Sequence, residues 1–190
     1  MTDNTFSSAG NINLLRQNEI AMLQKGICPR RYERNVPMFG LEGQRTLLKS
    51  HVAVVGCGGL GGYCVELLAR NGVGQIALID GDVFEESNLN RQILATLDTL
   101  KRNKAEIAAK RVQDLNPAVS TNVFSVFADR TNLANILRHV PDSPCQVIID
   151  AVDSIPAKLM LADCCSRMNI PMIHGALAGS YWNKPAIHRP

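Results

Sequence analysis

A doubly wound α/β fold, with a mainly parallel sheet and helices on both faces, is what this 190-residue sequence predicts. Three observations carry the prediction. Short apolar runs alternate with segments of helical period from residue 51 onward. The first run enters a glycine-rich turn, Gly56-Cys-Gly-Gly-Leu-Gly61. The second ends on a carboxylate, Asp80, about twenty residues after the glycines, where a dinucleotide-type fold places an acid on ribose hydroxyls.

The elements follow in order. Residues 11–26 carry Ile12, Leu14, Leu15, Ile20, Met22 and Leu23 at roughly helical spacing, which predicts a helix packed on the domain or on another subunit. Pro29 and Pro37 interrupt that pattern, and a short helix over 41–49 leads into a first strand over 51–55. The unbroken apolar character of that strand suits burial on both faces. A helix over 60–71, a strand over 75–80, a helix over 100–115, a strand over 121–126, a helix over 130–140 and a strand over 146–150 come next. Ser154 is placed to cap a further helix with Pro156 in its first turn, and 171–174 make the last strand. The connection over 81–97 is long and polar, and it carries Asp82, Asn88, Asn90, Arg91 and Gln92; such a length inside a compact domain marks function or mobility.

Composition sets the outer limits. Hydrophobic residues at 46% and charged residues at 19% are an ordinary globular balance, and a net charge of +3 is too small to argue for nucleic acid. No apolar stretch approaches the length of a membrane span, and the N-terminus lacks a basic segment followed by an apolar one, so a cytoplasmic protein is expected. None of the six cysteines forms a Cys-x-x-Cys pair, which gives a zinc site no support. They read as small buried hydrophobes, with Cys28 as an incidental surface thiol.

The glycine turn has a specific chemistry. At Gly56, Gly58, Gly59 and Gly61 the missing side chains let backbone N–H groups approach a phosphate or ribose at the start of a helix. Glycines also serve plain helix–strand packing, but here the strand, the helix and the acidic residue are all in place. In an open parallel sheet, ligands bind beyond the carboxyl ends of the strands, and Gly56, Asp80 and Asp150 all fall at such ends.

Taken together, these motifs make the chain similar to the ThiF/MoeB/HesA family of adenylating enzymes, relatives of the ubiquitin-activating enzymes. The resemblance runs from about Arg31 to Ala178. It rests on Arg31-Tyr-Glu-Arg34, the glycine turn, Asp80-Gly-Asp82 followed by Ser87-Asn88-Leu89-Asn90-Arg91-Gln92, then Lys104 and Asp150-Ala-Val-Asp153. It implies an ATP-binding adenylation domain over 51–190 behind an N-terminal helical segment over 1–50, together one compact unit. The implied reaction is adenylation of a carboxylate, typically the C-terminal glycine of a ubiquitin-like sulfur-carrier protein ending in Gly-Gly, with release of pyrophosphate. By the same resemblance Asp80 binds the ribose, Asn88 and Arg91 the triphosphate, and Lys104 the phosphates from the start of its helix. Arg34, Arg91 and Lys104 supply cations, Gln92 belongs to the nucleotide loop, and Asp153 holds Mg²⁺. In this family the arginine at the Arg91 position often enters the neighbouring subunit's site, which implies a homodimer.

Blander readings stand beside these. Lys104 lies among Lys101, Arg102, Lys110 and Arg111 on what is otherwise a solvated helix face, and Asp153 beside Ser154 suits a helix start. Asp82 either orients its loop or contacts a metal-bound water. His174 reads as hydrogen-bonded structure rather than a base. Family members generally continue with further strands and often Cys-x-x-Cys zinc motifs; the segment 175–185 departs from the family at Trp182-Asn183, which implies a shortened member. Two other functions compete: a non-catalytic nucleotide-binding partner subunit, and an NAD-dependent oxidoreductase using the same glycine turn.

Overall fold

Residues 5–138 and 144–175 are described by the computed structural model. Helices α1 (Thr5–Gln24) and α2 (Val36–Lys49) precede strand β1 (His51–Val55), helix α3 (Gly59–Asn71) and strand β2 (Gln75–Ile79). Helix α4 (Lys104–Leu115), strand β3 (Ser120–Phe124), helix α5 (Leu133–Arg138), strand β4 (Val147–Asp150), helix α6 (Ile155–Met168) and strand β5 (Met172–His174) complete the order. The five strands form one sheet in the order β3-β2-β1-β4-β5, and every pairing is parallel. This is the Rossmann-like α/β fold that the sequence predicts, with β1 at the point where the winding reverses.

Why the strands carry continuous apolar runs is visible in the two cores. On one face Val52, Val54, Ile76 and Leu78 pack with Val65 and Ala69 of α3 and with Ala105, Ala108 and Val112 of α4. On the other, Ala53, Val55, Ala77 and Ile79 pack with Leu133, Ile136 and Leu137 of α5 and with Leu161 and Cys165 of α6. Alternate residues of one strand thus serve opposite cores, as a sheet covered on both faces requires. Buried Glu66 of α3 fixes α4 beside it, accepting from Arg111 at 2.7 and 2.8 Å.

The N-terminal segment packs on this domain. Ile20 and Leu23 of α1 meet Tyr32 and Leu48 in a third, smaller core. The Tyr32 hydroxyl donates to Glu19 at 3.1 Å and accepts from Asn116 Nδ2, while Asn116 also donates to the Ala69 carbonyl. Asn116 lies just before β3, so this cluster seals the amino ends of the strands.

Among the boundaries that differ from the sequence reading, three have a visible cause. α2 starts at Val36 rather than 41 because Gly40, at φ +67°, joins two helical pieces across a kink. α4 starts at Lys104 rather than 100, because residues 101–104 are drawn into backbone bonds with the loop: Phe84 N–H to Arg102 O, Lys101 N–H to Phe84 O and Lys104 N–H to Asp82 O. α5 starts at Leu133, three residues late, because the Asp129 carboxylate takes the N–H groups of Thr131 and Asn132 and makes a turn there. Residues 139–140 of the expected helix, and the Trp182-Asn183 departure, lie outside the described residues.

Candidate functional site

Strand β1 delivers the chain to the carboxyl edge of the sheet, where Gly56 must turn back at φ +91°. A Cβ at Gly56 would sit 2.8 Å from the Ala151 carbonyl oxygen, and one at Gly61 would overlap the Gly56 carbonyl itself. Both positions therefore need glycine for backbone-to-backbone contact, and Gly56 needs it for conformation as well. Gly58 caps α3 with no side-chain bond, which leaves the first N–H groups of the helix for a ligand. Beyond the turn opens a cavity of about 500 Å³, lined among others by Gly56, Gly58, Gly59, Asp80, Asp82, Arg91, Gln92, Lys104 and Asp153.

Asp80, half-buried just after β2, is held by two backbone donors, Cys57 N–H at 2.7 Å and Asp82 N–H at 2.8 Å, one on each oxygen. Each carboxylate oxygen keeps a further lone pair, so the group can still accept two hydroxyls. Burial pushes its carboxyl above the usual range, outweighing the two backbone bonds and the attraction of Lys104. Asp82 behaves oppositely. The Lys104 ammonium lies 2.5 Å from its Oδ2 and holds that carboxyl below the usual range. Lys104 is almost wholly buried, stands in the first turn of α4 and also lies 5.9 Å from the centre of the Phe84 ring.

What aims Lys104 is Asn103. Its Oδ1 accepts from Ala105 and Glu106 N–H as the cap of α4, and its Nδ2 donates to the Asp80 and Asp82 carbonyls at 3.0 and 3.1 Å. One side chain thus ties helix α4 to the loop after β2. The long connection is held the same way, with Phe84 fully buried and Asn88 folded back on the Glu85 N–H at 3.0 Å.

Arg91 is exposed and lines the cavity of its own chain, its guanidinium donating to the Ser87 carbonyl and Asn90 Oδ1, both at 2.9 Å. Asp153 is exposed on the cavity wall, and among the described residues its carboxylate makes no ion pair or hydrogen bond. Among the described residues no group of three or more His, Cys, Asp or Glu side chains could hold a metal ion; a lone carboxylate such as Asp153 suits only a Mg²⁺ that keeps most of its ligands as water and phosphate oxygen.

Of the expected site residues, Gly61 supports the turn without lining the cavity, and two others are not brought to it. Asn88 is spent on its own loop. Arg34 lies next to the Tyr32 cluster at the amino ends of the strands, opposite the cavity, because Tyr32 and Asn35 anchor that segment to Asn116 and Gln44.

The sequence reading passed over several residues that belong here. Val126, Phe127 and Ala128, after β3, form one wall, and Lys158 of α6 another. The Lys158 ammonium donates to both oxygens of fully buried Asp150 at 3.2 Å and to the Gly175 carbonyl at 2.7 Å, while His174 Nδ1 lies 2.7 Å from Asp150. His174 is thus in hydrogen-bonded structure, as expected. The signals were present: Lys158 follows Asp153 by about one helical turn, and the segment after β3 leaves a strand at its ligand-facing end.

Residues 32–183 match the ThiF family. The chain is 40% identical over 149 residues to the SAMP-activating enzyme E1 of Haloferax volcanii, covering 77% of this chain and 53% of that protein. It is 35% identical over 162 residues to the sulfur carrier protein adenylyltransferase of Thermus thermophilus, covering 84% and 58%. Among solved structures, E. coli tRNA N6-threonylcarbamoyladenosine dehydratase in complex with ATP is similar with a TM-score of 0.71 at 34% identity, over 76% of this chain and 58% of that one. The chain spans between 53% and 58% of the length of these relatives.

Proposed function

This chain belongs to the ThiF family, and from that membership we propose that it adenylates a carboxylate with ATP, the acceptor being the C-terminal glycine of a ubiquitin-like sulfur carrier. The observation that carries the reading is the convergence of the glycine turn, Asp80, Arg91, Lys104 and Asp153 on one cavity. The relatives named for activating SAMP and for adenylylating a sulfur carrier favour this acceptor. The similar dehydratase, solved with ATP, supports ATP as the nucleotide and keeps a tRNA-linked carboxylate as a second acceptor class.

In the proposed reaction an acceptor carboxylate oxygen forms a bond to the α-phosphorus of ATP, the bond from that phosphorus to the α–β bridging oxygen breaks, and pyrophosphate leaves with the electron pair. No base is needed, because the nucleophile is already ionised. The chain's task is charge: a negative nucleophile meets a negative phosphate, and cations aimed at the developing charge supply the acceleration. Asp80 would accept the ribose hydroxyls and fix the nucleotide; the N–H groups at the start of α3 would take phosphate oxygens. Lys104 would leave Asp82 for the phosphates, and Arg91 would leave the Ser87 carbonyl for them. Asp153 would hold Mg²⁺, which supplies neutralisation of phosphate charge when bound. We further place the protein in the cytoplasm as a homodimer, with 1–50 as a helical segment attached to a 51–190 adenylation domain. Among the described residues no helix is long and apolar enough to cross a membrane.

Pyrophosphate exchange into ATP, with Mg²⁺ and a panel of carriers ending in Gly-Gly, tests the reading. Exchange dependent on one carrier is expected, and Asp153→Ala should lower it about a hundredfold or more, the usual scale for losing one transition-state charge contact. Carrier-independent ATP binding with no exchange for any acceptor would favour the non-catalytic partner subunit. Hydride transfer to NAD would be required by the oxidoreductase reading, which family membership disfavours.

A further inference from the structure

Gln92 is 7% exposed, yet its carboxamide Oε1 has no hydrogen-bond partner among the described residues. A buried acceptor left unpaired is costly, and one that lines a ligand cavity is an acceptor awaiting a donor. Its position is fixed, because the Gln92 N–H is bound to Asn88 O at 3.0 Å and its carbonyl accepts from Ala95 N–H at 2.9 Å. The carboxamide lies against Gly58, where a Cβ would come within 3.4 Å of Nε2 and 3.5 Å of Oε1.

The location narrows the donor. Gly58 is at the phosphate end of the site, where α3 begins. A triphosphate carries oxygen acceptors and no N–H. The ribose hydroxyls have Asp80, at the end of the neighbouring strand, and the amino group of adenine is at the far end of the nucleotide from its phosphates. The second substrate, whose carboxylate must come up to the α-phosphate, is the remaining source. We propose that Gln92 reads the acceptor, its Oε1 accepting a hydrogen bond from the amide N–H of the last peptide bond, next to the carboxylate being activated. The inference rests on the adenylation reading and names its substrate class: a peptide C-terminus, distinguished from a plain carboxylate that lacks the adjacent N–H. Discrimination arises because an acceptor without that donor leaves Oε1 buried and unpaired in the complex.

The test uses carriers made by chemical ligation, with either the native Gly-Gly end or an end in which the last amide is replaced by an ester, removing only the N–H. With wild-type protein, kcat/KM for adenylation should fall at least tenfold from amide to ester, about 1.4 kcal/mol. With Gln92→Met, of similar shape and without the acceptor, the two carriers should react equally, while a circular dichroism spectrum and a melting temperature like those of wild type report folding. Equal rates for amide and ester with wild-type protein overturn the inference while leaving adenylation intact, whatever the variant does. Discrimination that persists in a folded Gln92→Met overturns the assignment to Gln92. Wild-type protein that binds ATP but adenylates no carrier overturns the adenylation reading, and this inference with it.

Discussion

Asp80 and Asp82 are two residues apart and titrate in opposite senses. Burial raises the Asp80 carboxyl, so it takes a proton at a higher pH than an ordinary aspartate, while Lys104 depresses Asp82. For stability the two signs differ. Asp82, lowered, contributes stability that is present above the usual value of about 4 and is lost as pH falls through its depressed value. Asp80, raised, costs stability once ionised, and acidification relieves that cost. On the proposed reading binding follows Asp80, because only the carboxylate could accept two ribose hydroxyls. ATP affinity should therefore start to fall at a pH above the ordinary aspartate range and decline about tenfold per unit below the raised value. Calorimetry across that range, compared with Asp80→Asn, checks it; the variant should bind weakly and without that pH dependence. Asp80 and the glycine turn were legible in the sequence because each is a local pattern with one physical purpose. The unpaired oxygen of Gln92 was not, because being unpaired depends on everything around it.

A helix boundary decides where Lys104 stands. Helical spacing from residue 100 onward is genuine, yet α4 begins at Lys104, since the four residues before it serve the loop instead. Propensity has no access to that competition, because its winner depends on Phe84 being buried some twenty residues away. Asn103 is the element's keystone. Asn103→Ala should lower stability by about 1–2 kcal/mol, the usual cost of a lost helix cap, and weaken ATP binding as Lys104 drifts. Asn103→Asp should recover the cap, since its carboxylate still accepts the Ala105 and Glu106 N–H groups, but it cannot donate to the Asp80 and Asp82 carbonyls. Melting temperature restored without ATP affinity is the expected pattern, read by thermal unfolding and calorimetry on the same samples.

At the scale of the molecule, the sheet puts its two ends to different uses. Strand order β3-β2-β1-β4-β5 opens the cavity at the carboxyl edge, where β1 separates β2 from β4, and the N-terminal helices seal the amino edge. The alternation of strands and helices was enough to foresee this architecture, since parallel crossovers leave few arrangements. It was not enough to place Arg34, which shares a motif with the site yet sits at the other end. Arg34→Ala should leave the ATP affinity of a single chain unchanged. In the proposed homodimer, a loss of affinity that grows with protein concentration would instead show Arg34 serving a second copy. Saturating ATP should raise the melting temperature of either protein by roughly 5–10 °C at a hundred times Kd, from about 2.7 kcal/mol of linkage.

The Lys104–Asp82 pair has one more consequence. The cavity's best-placed cation is already satisfied before any ligand arrives. A stray phosphate or sulfate would have to pull it away from Asp82 and gain little else, whereas the proposed nucleotide would bring a sugar for Asp80 at the same moment. The cell is full of small anions; on the proposed reading the pair would work as a latch that opens only to a visitor carrying both keys.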